Sequence, residues 1–377
     1  MQLINSTRML AGYNMGLEPS GRESLVVAVK GTFRFPVPGE PAGHFALHEE
    51  QAPLVMADTF TGEAGLSSPV HEIDFAPRKL RCDILLVCSA HAPEGRPVPR
   101  VDVGVRVGSW SKSFSVVGPR QWDCGIATLR ATAAEPFTRQ AISYDVAYGG
   151  VDVRHEDPAK HAAFMANPVG RGFHKHLQKE WVHGRPLPLT EELGRPVSDT
   201  DGAYRPMSFG PVGRSWDPRA AWAGTYDDAW REKHFPFLPP DFDEQYFQAA
   251  PLDQQVPLDF FRQGPVEVTL SNLTPEGLTR FTIPELVAPV HIFPKRGERE
   301  DLTAVLDTVV IEPDLQRFSL TWRVARPLRK NMFEIAQVVV GKKGREWWQL
   351  REGRGTFPVP VVMVPMDPES SVTSEEG

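Results

Sequence analysis

The chain has 377 residues, a formal net charge of −7, and 36 prolines against 31 glycines. A chain of this length can bury one large core or two, and its acidic balance argues against a general nucleic-acid binder, which needs a basic face. Because proline breaks helix interiors and central strands, the composition predicts many turns and few long helices.

The three cysteines are Cys82, Cys88 and Cys124, and no two of them are spaced as Cys-x-x-Cys. This pattern predicts neither a disulfide framework nor a zinc knuckle, and it favours a reducing compartment. The amino terminus has no basic head followed by an apolar run, and no stretch approaches the roughly 18 apolar residues of a membrane helix. We therefore expect a cytoplasmic protein without membrane insertion.

The amino-terminal part of the chain, residues 1–130, has the pattern of a β region. Ser24 to Phe35 and Leu80 to Ser89 carry apolar residues at both alternating sets of positions, which is typical of strands covered on both faces. Val98 to Val107 alternates valine with polar residues or glycine, and Lys112 to Val117 is expected to return as its hairpin partner.

The middle of the chain, residues 131–262, has no continuous period of two or 3.6. Its most distinctive stretch, Arg205 to Gln255, mixes tryptophan, phenylalanine and tyrosine with proline, glycine and acids. Flexible linkers lack such rings, so we expect a long, ordered, irregular segment packed on the sheets.

Short helices are expected in this segment after aspartate caps. The predicted caps are Asp157 before Pro158–Phe164, Asp217 before Pro218–Ala223, and Asp241 with Glu244 completing a capping box.

Regular strands are predicted again in a carboxyl-terminal β region, residues 263–366. They are Val266–Leu270, Leu278–Ile283, Val290–Phe293, Ala304–Ile311, Arg317–Val324 and Glu334–Val340. Sequential strands separated by turns favour antiparallel sandwich or barrel-like sheets. The expected fold is mainly β, with a long irregular aromatic and proline-rich middle segment and a few short helices. The acidic tail, residues 367–377, is expected to be disordered. The pattern leaves open whether the two β regions form one domain or two.

Familiar catalytic signatures are missing from the sequence, which has no GxSxG elbow, no phosphate loop and no HExxH motif. His174, His176 and His183 lie close together, but no further ligand at standard spacing accompanies them, so a solvated loop is favoured over a zinc site. The acids of residues 241–244 lack the spacing of a calcium loop. We predict no catalytic residue, no cofactor and no metal, and a protein that is not an enzyme.

The functional prediction therefore rests on the aromatic segment, because large rings with polar partners dominate protein interfaces. The candidate partner-binding residues are the rings of Trp216, Tyr226, Trp230 and Phe242 and the acids Asp227, Asp241 and Asp243. The opposing interpretation is that the rings only pack the segment onto the sheets. Alternatively, they could form a sugar platform beside two carboxylates.

Several motifs occur in a fixed order along the chain. They are Tyr148–Gly150, Asn167–Phe173, Phe209–Trp216, Gly224–Trp230, and Phe237–Asp243 followed by Ala249–Pro251. Together they resemble a bacterial family of type VI secretion system accessory or adaptor proteins, formerly described as a domain of unknown function. Lys30–Phe33 and Trp322–Arg323 extend the resemblance over nearly the whole chain.

The resemblance implies a cytoplasmic adaptor or chaperone without enzymatic activity. Such proteins occur with a valine-glycine-repeat (VgrG) spike protein, a PAAR-like tip protein and an effector toxin, and help load the effector or its PAAR-like region onto the spike. The expected partners are therefore an effector toxin or PAAR-like protein and the VgrG spike protein, and not nucleic acid. Two alternatives stay open. One is a carbohydrate-binding or carbohydrate-active β-sandwich protein, and the other is a structural component of the secretion apparatus.

Overall fold

The structure is a computed structural model that describes residues 1–37, 39–41, 43–126, 128–344 and 347–348. The chain divides into two units, residues 1–341 and residues 342–377. In the second unit, the rings of Trp347 and Trp348 meet edge to face with centroids 4.8 Å apart. The predicted acidic tail and the last part of the predicted carboxyl-terminal β region lie outside the described residues.

The first unit is built around a ten-stranded sheet and a five-stranded sheet. In chain order their strands are β1 (Gln2–Asn5), β2 (Leu10–Leu17), β3 (Glu23–Arg34), β4 (Ala46–Leu47), β5 (Cys82–Leu86), β6 (Arg100–Val107), β7 (Trp110–Val117), β8 (Thr190–Glu191), β9 (Gln255–Val256), β10 (Val266–Ser271), β11 (Leu278–Ile283), β12 (Ala288–Pro294), β13 (Glu300–Glu312), β14 (Arg317–Pro327) and β15 (Ile335–Val340).

The larger sheet follows the order β1-β15-β12-β13-β14-β3-β2, with β5 pairing to β13 and β9, and β4 pairing to β3. The smaller sheet has the order β8-β7-β6-β10-β11 and is antiparallel throughout. Within the larger sheet, β1 runs parallel to β15 and β5 runs parallel to β13. The sheets form a nearly closed, barrel-like arrangement, which confirms the predicted mainly β fold.

The remaining elements are short. Paired strands are Thr59–Phe60 with Pro69–His71, Cys88–His91 with Arg139–Ile142, Trp122–Cys124 with Leu129–Ala131, Tyr148–Gly149 with Arg171–Gly172, and Val151–Asp152 with Ala162–Ala163. The α-helices are α1 (Lys179–Val182), α2 (Arg219–Trp222) and α3 (Asp228–Lys233). The 3-10 helices are Pro93–Gly95, Tyr144–Val146, Pro158–Lys160, Glu244–Phe247, Leu252–Gln254, Pro313–Leu315 and Met332–Glu334.

Alternation along the strands explains where the core lies. In β6 the side chains of Val101, Val103, Val105 and Val107 are buried in the main core, while the intervening Asp102 and Arg106 are exposed. β3 is covered on both faces, as predicted. Its Leu25, Val27 and Val29 face the main core, and Val26 and Ala28 form a second cluster with Phe75.

Strands from the two ends of the chain are interleaved in both sheets. β3 lies between β2 and β14, and β6 lies between β7 and β10. Neither set of strands can bury its apolar face without the other. This interleaving is why the chain forms one unit through Gly341.

Two of the three predicted helix caps are wrong. Asp157 accepts a hydrogen bond from the Ala159 N–H at 3.0 Å, as expected, although its helix is a single 3-10 turn. Pro218, not Asp217, precedes α2, and no side chain caps that helix, because the Trp216 carbonyl accepts from the Ala220 N–H.

The predicted capping box at Asp241 and Glu244 is also wrong, because the helix begins two residues later than predicted. Asp243 caps Glu244–Phe247 by accepting from the Gln245 N–H at 2.9 Å. The Asp241 carboxylate bonds Thr225 instead.

The three cysteines are free, and Cys82 and Cys88 are buried. Burial raises the pKa of both thiols, which keeps them protonated. Within the part of the chain that the structure describes, no helix has the length and apolar character needed to cross a membrane.

Candidate partner-binding surface

A buried arginine fastens the aromatic segment, residues 205–255, to the rest of the unit. Arg219, on α2, is 1% exposed and donates to both oxygens of the Glu72 carboxylate. Its guanidinium also donates to the backbone carbonyls of Val212 at 2.6 Å and Tyr246 at 2.8 Å. One side chain thus joins three parts of the chain, around residue 72, residues 212–219 and residue 246.

The end of the segment is fastened to the larger sheet by Asp83 of β5, which is fully buried. Its carboxylate accepts from the Gln248 amide and the Ala249 N–H, both at 2.8 Å, and from Lys79 at 2.5 Å. Held at these points, the irregular segment is ordered without forming long helices or strands.

Trp216 packs inside the unit and is not part of a surface. Its ring is 3% exposed and meets the Tyr144 ring edge-on with centroids 5.5 Å apart, in a small core that also holds Ala147 and Val212. Trp216 is therefore unavailable as an anchor for a partner, and its ring serves to seat the segment.

Four other rings form an exposed group, here called the aromatic cap: Tyr226, Trp230, Phe235 and Phe237. The half-buried Trp230 ring lies between Tyr226, at 4.7 Å between centroids, and Phe235, at 5.7 Å. Tyr226 is 53% exposed, Phe235 66% and Phe237 47%. The cap thus brings exposed aromatic rings together into one contiguous apolar group.

Local hydrogen bonds and a contact with the β2–β3 hairpin hold the cap in place. Asp227 accepts from the Trp230 N–H at 2.8 Å and so begins α3, and the Trp230 indole N–H donates to the Phe237 carbonyl at 2.9 Å. Phe237 rests on Gly21 in the β2–β3 hairpin. Gly21 has φ +79°, and a Cβ there would lie 2.6 Å from the ring. This close approach requires glycine.

Each predicted acid has a structural partner beside the cap. The exposed Asp241 carboxylate accepts from the Thr225 N–H at 3.0 Å and the Thr225 hydroxyl at 2.7 Å. These bonds lower the pKa of Asp241, and the backbone N–H contributes most. Asp227 and Asp243 cap local helices. All three acids therefore shape the surface, and Asp227 and Asp241 are also exposed on it.

Phe242 belongs to a second ring group beside the cap. It is half-buried, with centroids 5.6 Å from Tyr246 and 5.4 Å from Phe247. Phe247 in turn lines a groove of about 420 Å³, here called the hairpin groove. Leu17 and Pro19 of the β2–β3 hairpin form its other side.

The hairpin connects the groove to the cap, because the same turn carries Gly21, on which Phe237 rests. An ion pair between Arg78 and Glu244, at 3.2 Å, lies among the residues that line the groove. The cap and the hairpin groove together form the candidate surface, with fixed rings at one end and a polar rim at the other.

Comparison with known proteins gives one family match. A family model described as uncharacterized proteins conserved in bacteria, DUF2169, matches residues 20–323. The chain belongs to the DUF2169 family. No curated protein and no solved structure matches it. The matched part of this DUF2169 chain contains the anchors Glu72, Asp83 and Arg219 as well as the aromatic cap.

The histidines considered as zinc ligands have different surroundings in the DUF2169 chain. His183 accepts from the Cys124 N–H at 3.1 Å, His176 is exposed, and the buried Nδ1 of His174 has no hydrogen-bond partner among the described residues. In the part of the chain that the structure covers, no three His, Cys, Asp or Glu side chains are grouped to hold a metal ion.

The buried ring nitrogen of His174 gives a pH prediction. Burial lowers the pKa of His174 below its ordinary 6.5, although the Asp152 carboxylate opposes the shift. The unfolded chain therefore takes up this proton first, so stability is lost as the pH falls from about 6.5 through the lowered folded-state pKa. We expect the thermal midpoint of His174→Gln to fall less between neutral and mildly acidic pH than that of the wild type. The exposed control His176→Gln should keep the wild-type slope, and equal slopes for all three proteins would contradict the prediction.

Two features of the DUF2169 surface were missed from the sequence. Phe235 and Phe237 are more exposed than Trp230 but were not among the predicted anchors. Helix α3 was also missed, although Asp227 precedes it and Arg231 and Lys233 lie in its last turn. An aspartate cap followed by basic residues is a recognisable helix signal.

Proposed function

We propose that this protein is a non-enzymatic, cytoplasmic adaptor that binds an effector toxin or its PAAR-like region through the aromatic cap and the hairpin groove. In this role it holds the client and helps load it onto the VgrG spike protein. The observation that carries the proposal is the cap itself, in which rings are exposed yet fixed by hydrogen bonds and edge-on ring contacts. Contiguous exposed apolar patches on monomers mark interaction sites.

The rigidity of the cap matters for affinity. Ordering a loose side chain on binding costs about 0.5–1.5 kcal/mol, and rings held in advance avoid most of that cost. Trp230 is already fixed by its indole N–H bond to Phe237 and by its contacts with Tyr226 and Phe235. A small, preorganised aromatic surface suits an adaptor, which must hold its client and later release it.

The test is a binding measurement with the products of the neighbouring genes, among which we expect an effector and a spike protein. We expect the purified protein to bind the co-expressed effector, and Phe235→Ser to weaken this binding by roughly tenfold or more, because exposed aromatic anchors dominate interfaces. Tyr226→Ser should act in the same direction. Calorimetry with the purified proteins gives the dissociation constants.

Leu66→Ser is the matched control, because Leu66 is 71% exposed and Phe235 is 66% exposed. It should leave binding unchanged. Equal weakening by Leu66→Ser and Phe235→Ser, or no binding of the effector by the wild type, would remove the proposed role of the cap. Recovery of the protein with the secreted spike would instead favour a structural component, and binding of a polysaccharide at the cap would favour the carbohydrate alternative.

A further inference from the structure

A second groove, of about 390 Å³, lies between the β12–β13 hairpin and the loop that follows β14. It is here called the basic groove, because Lys295, Arg296, Arg329 and Lys330 line it. The basic groove and the hairpin groove are distinct surfaces. Ala325 and Pro327 of β14 line the hairpin groove, whereas Arg326 between them lines the basic groove, as strand alternation requires.

Inside the basic groove, two acids share one buried arginine. Arg326 is 7% exposed and pairs with Glu300 at 2.7 Å and with Glu334. Glu334 also accepts from the N–H groups of Arg329 and Lys330, each at 2.9 Å. These bonds fix the loop and leave little acceptor capacity for the lysines and arginines at the rim.

The rim cations lie near acids without a direct ion pair. The pKa of Glu300 is lowered mainly by its hydrogen bond with Arg326, and Arg329 is close enough to help lower it. Lys295, Arg296, Arg329 and Lys330 are exposed, and within the described ranges none of them forms an ion pair. The described lining of the groove holds five cations and the three acids Glu298, Glu300 and Glu334, which leaves a positive excess of two. This local positive excess occurs in a chain whose net charge is −7, so it is a property of the site and not of the whole surface.

We infer that the basic groove binds an acidic segment of a polypeptide partner, with Asp or Glu side chains paired to the four rim cations. Its volume lies within the range of sites that take a ligand-sized segment. An acidic polypeptide suits this lining, because its carboxylates can pair with the cations while its N–H groups donate to Glu298. The net charge of −7 repels a long polyanion such as a nucleic acid, so a short acidic segment is favoured.

The inference is tested on the full chain by fluorescence anisotropy with a short labelled peptide of alternating Glu and Ser. We expect saturable binding that weakens as salt is added, because the contacts are ionic and exposed. The double variant Arg296→Glu/Arg329→Glu should weaken binding by roughly tenfold or more, since two attractions become repulsions. A peptide with Gln in place of Glu should bind far more weakly.

The matched control is Arg106→Glu/Arg280→Glu, which makes the same charge change at another groove, on the smaller sheet. It should leave peptide binding within about twofold of wild type. Equal weakening by both double variants, absence of saturable peptide binding, or tighter binding of a single-stranded oligonucleotide or anionic vesicles would each overturn the inference. A negative result for the basic groove would not contradict the proposed role of the aromatic cap, because the two tests use different surfaces and different probes.

Discussion

Replacing Arg219 by methionine is expected to destabilise the protein by about 3–5 kcal/mol, the usual consequence of breaking a buried ion pair from one side. The substitution keeps a long side chain but leaves the Glu72 carboxylate without its main cation, and it leaves the Val212 and Tyr246 carbonyls without this donor. Urea unfolding of the purified variant measures the loss. The aromatic cap should also lose partner affinity, because Arg219 anchors the segment that carries it.

Arg231→Met is the control for this substitution. Arg231 lies in the same segment, is exposed, and pairs with Asp228 only at the surface, so its loss should change the free energy of unfolding by about 0–1 kcal/mol. If Arg219→Met lowered the free energy of unfolding no more than Arg231→Met, the buried Arg219–Glu72 pair would not be what holds the aromatic segment in place.

The second large effect is expected for Arg323→Met in the ion cluster beneath the larger sheet. Arg323 bonds the Asp307 carboxylate at 2.7 Å and the Asp74 carbonyl at 2.6 Å, and the Arg323 and Asp307 side chains are each 6% exposed. Burial raises the pKa of Asp307 even with Arg323 present. Removal of the arginine should therefore leave the buried Asp307 carboxyl without its ion-pair partner and lower the free energy of unfolding by about 3–5 kcal/mol.

A double variant distinguishes the loss of the ion pair itself from the cost of leaving the Asp307 carboxyl buried without Arg323. Arg323→Met/Asp307→Leu removes both partners, and it should be less destabilised than Arg323→Met alone, because replacing a whole buried pair by apolar side chains is often nearly neutral. Urea unfolding of the wild type, both single variants and the double variant gives the coupling energy. Additive losses would show that Asp307 is not stabilised chiefly by Arg323.

These two sites share an architectural role. Glu72 and Arg219 join the stretch between β4 and β5 to the aromatic segment, and Asp307 and Arg323 join the neighbouring strands β13 and β14. In both places a buried charge is matched by its partner and by backbone groups. The aromatic segment is therefore fixed by the polar contacts of Arg219 as well as by its rings.

Much of the strand content could be predicted from the sequence. β6 and β11 were predicted to within two residues of their observed bounds, because alternation of apolar and polar side chains is a local property. β2 was not predicted, since its sequence, LAGYNMGL, contains two glycines and an asparagine. Its eight residues become a strand through their pairing with β3.

The candidate surface was predicted only in part. The sequence located the aromatic segment, and Tyr226 and Trp230 do lie in the exposed cap. It did not reveal that Trp216 is buried against Tyr144, which is distant in the chain. Exposure depends on contacts between remote segments, which no local pattern records.

The sequence by itself determined the alternation of the strands, the shortness of the helices in the described residues and the position of the ring-rich segment, because each follows from residues close together in the chain. Only the tertiary structure decided which rings are exposed, which acids are paired and which cations are left at a groove. Those outcomes depend on burial by distant strands and loops. Backbone geometry is set locally, whereas the free energy of a ring or a charge is set by what the fold packs around it.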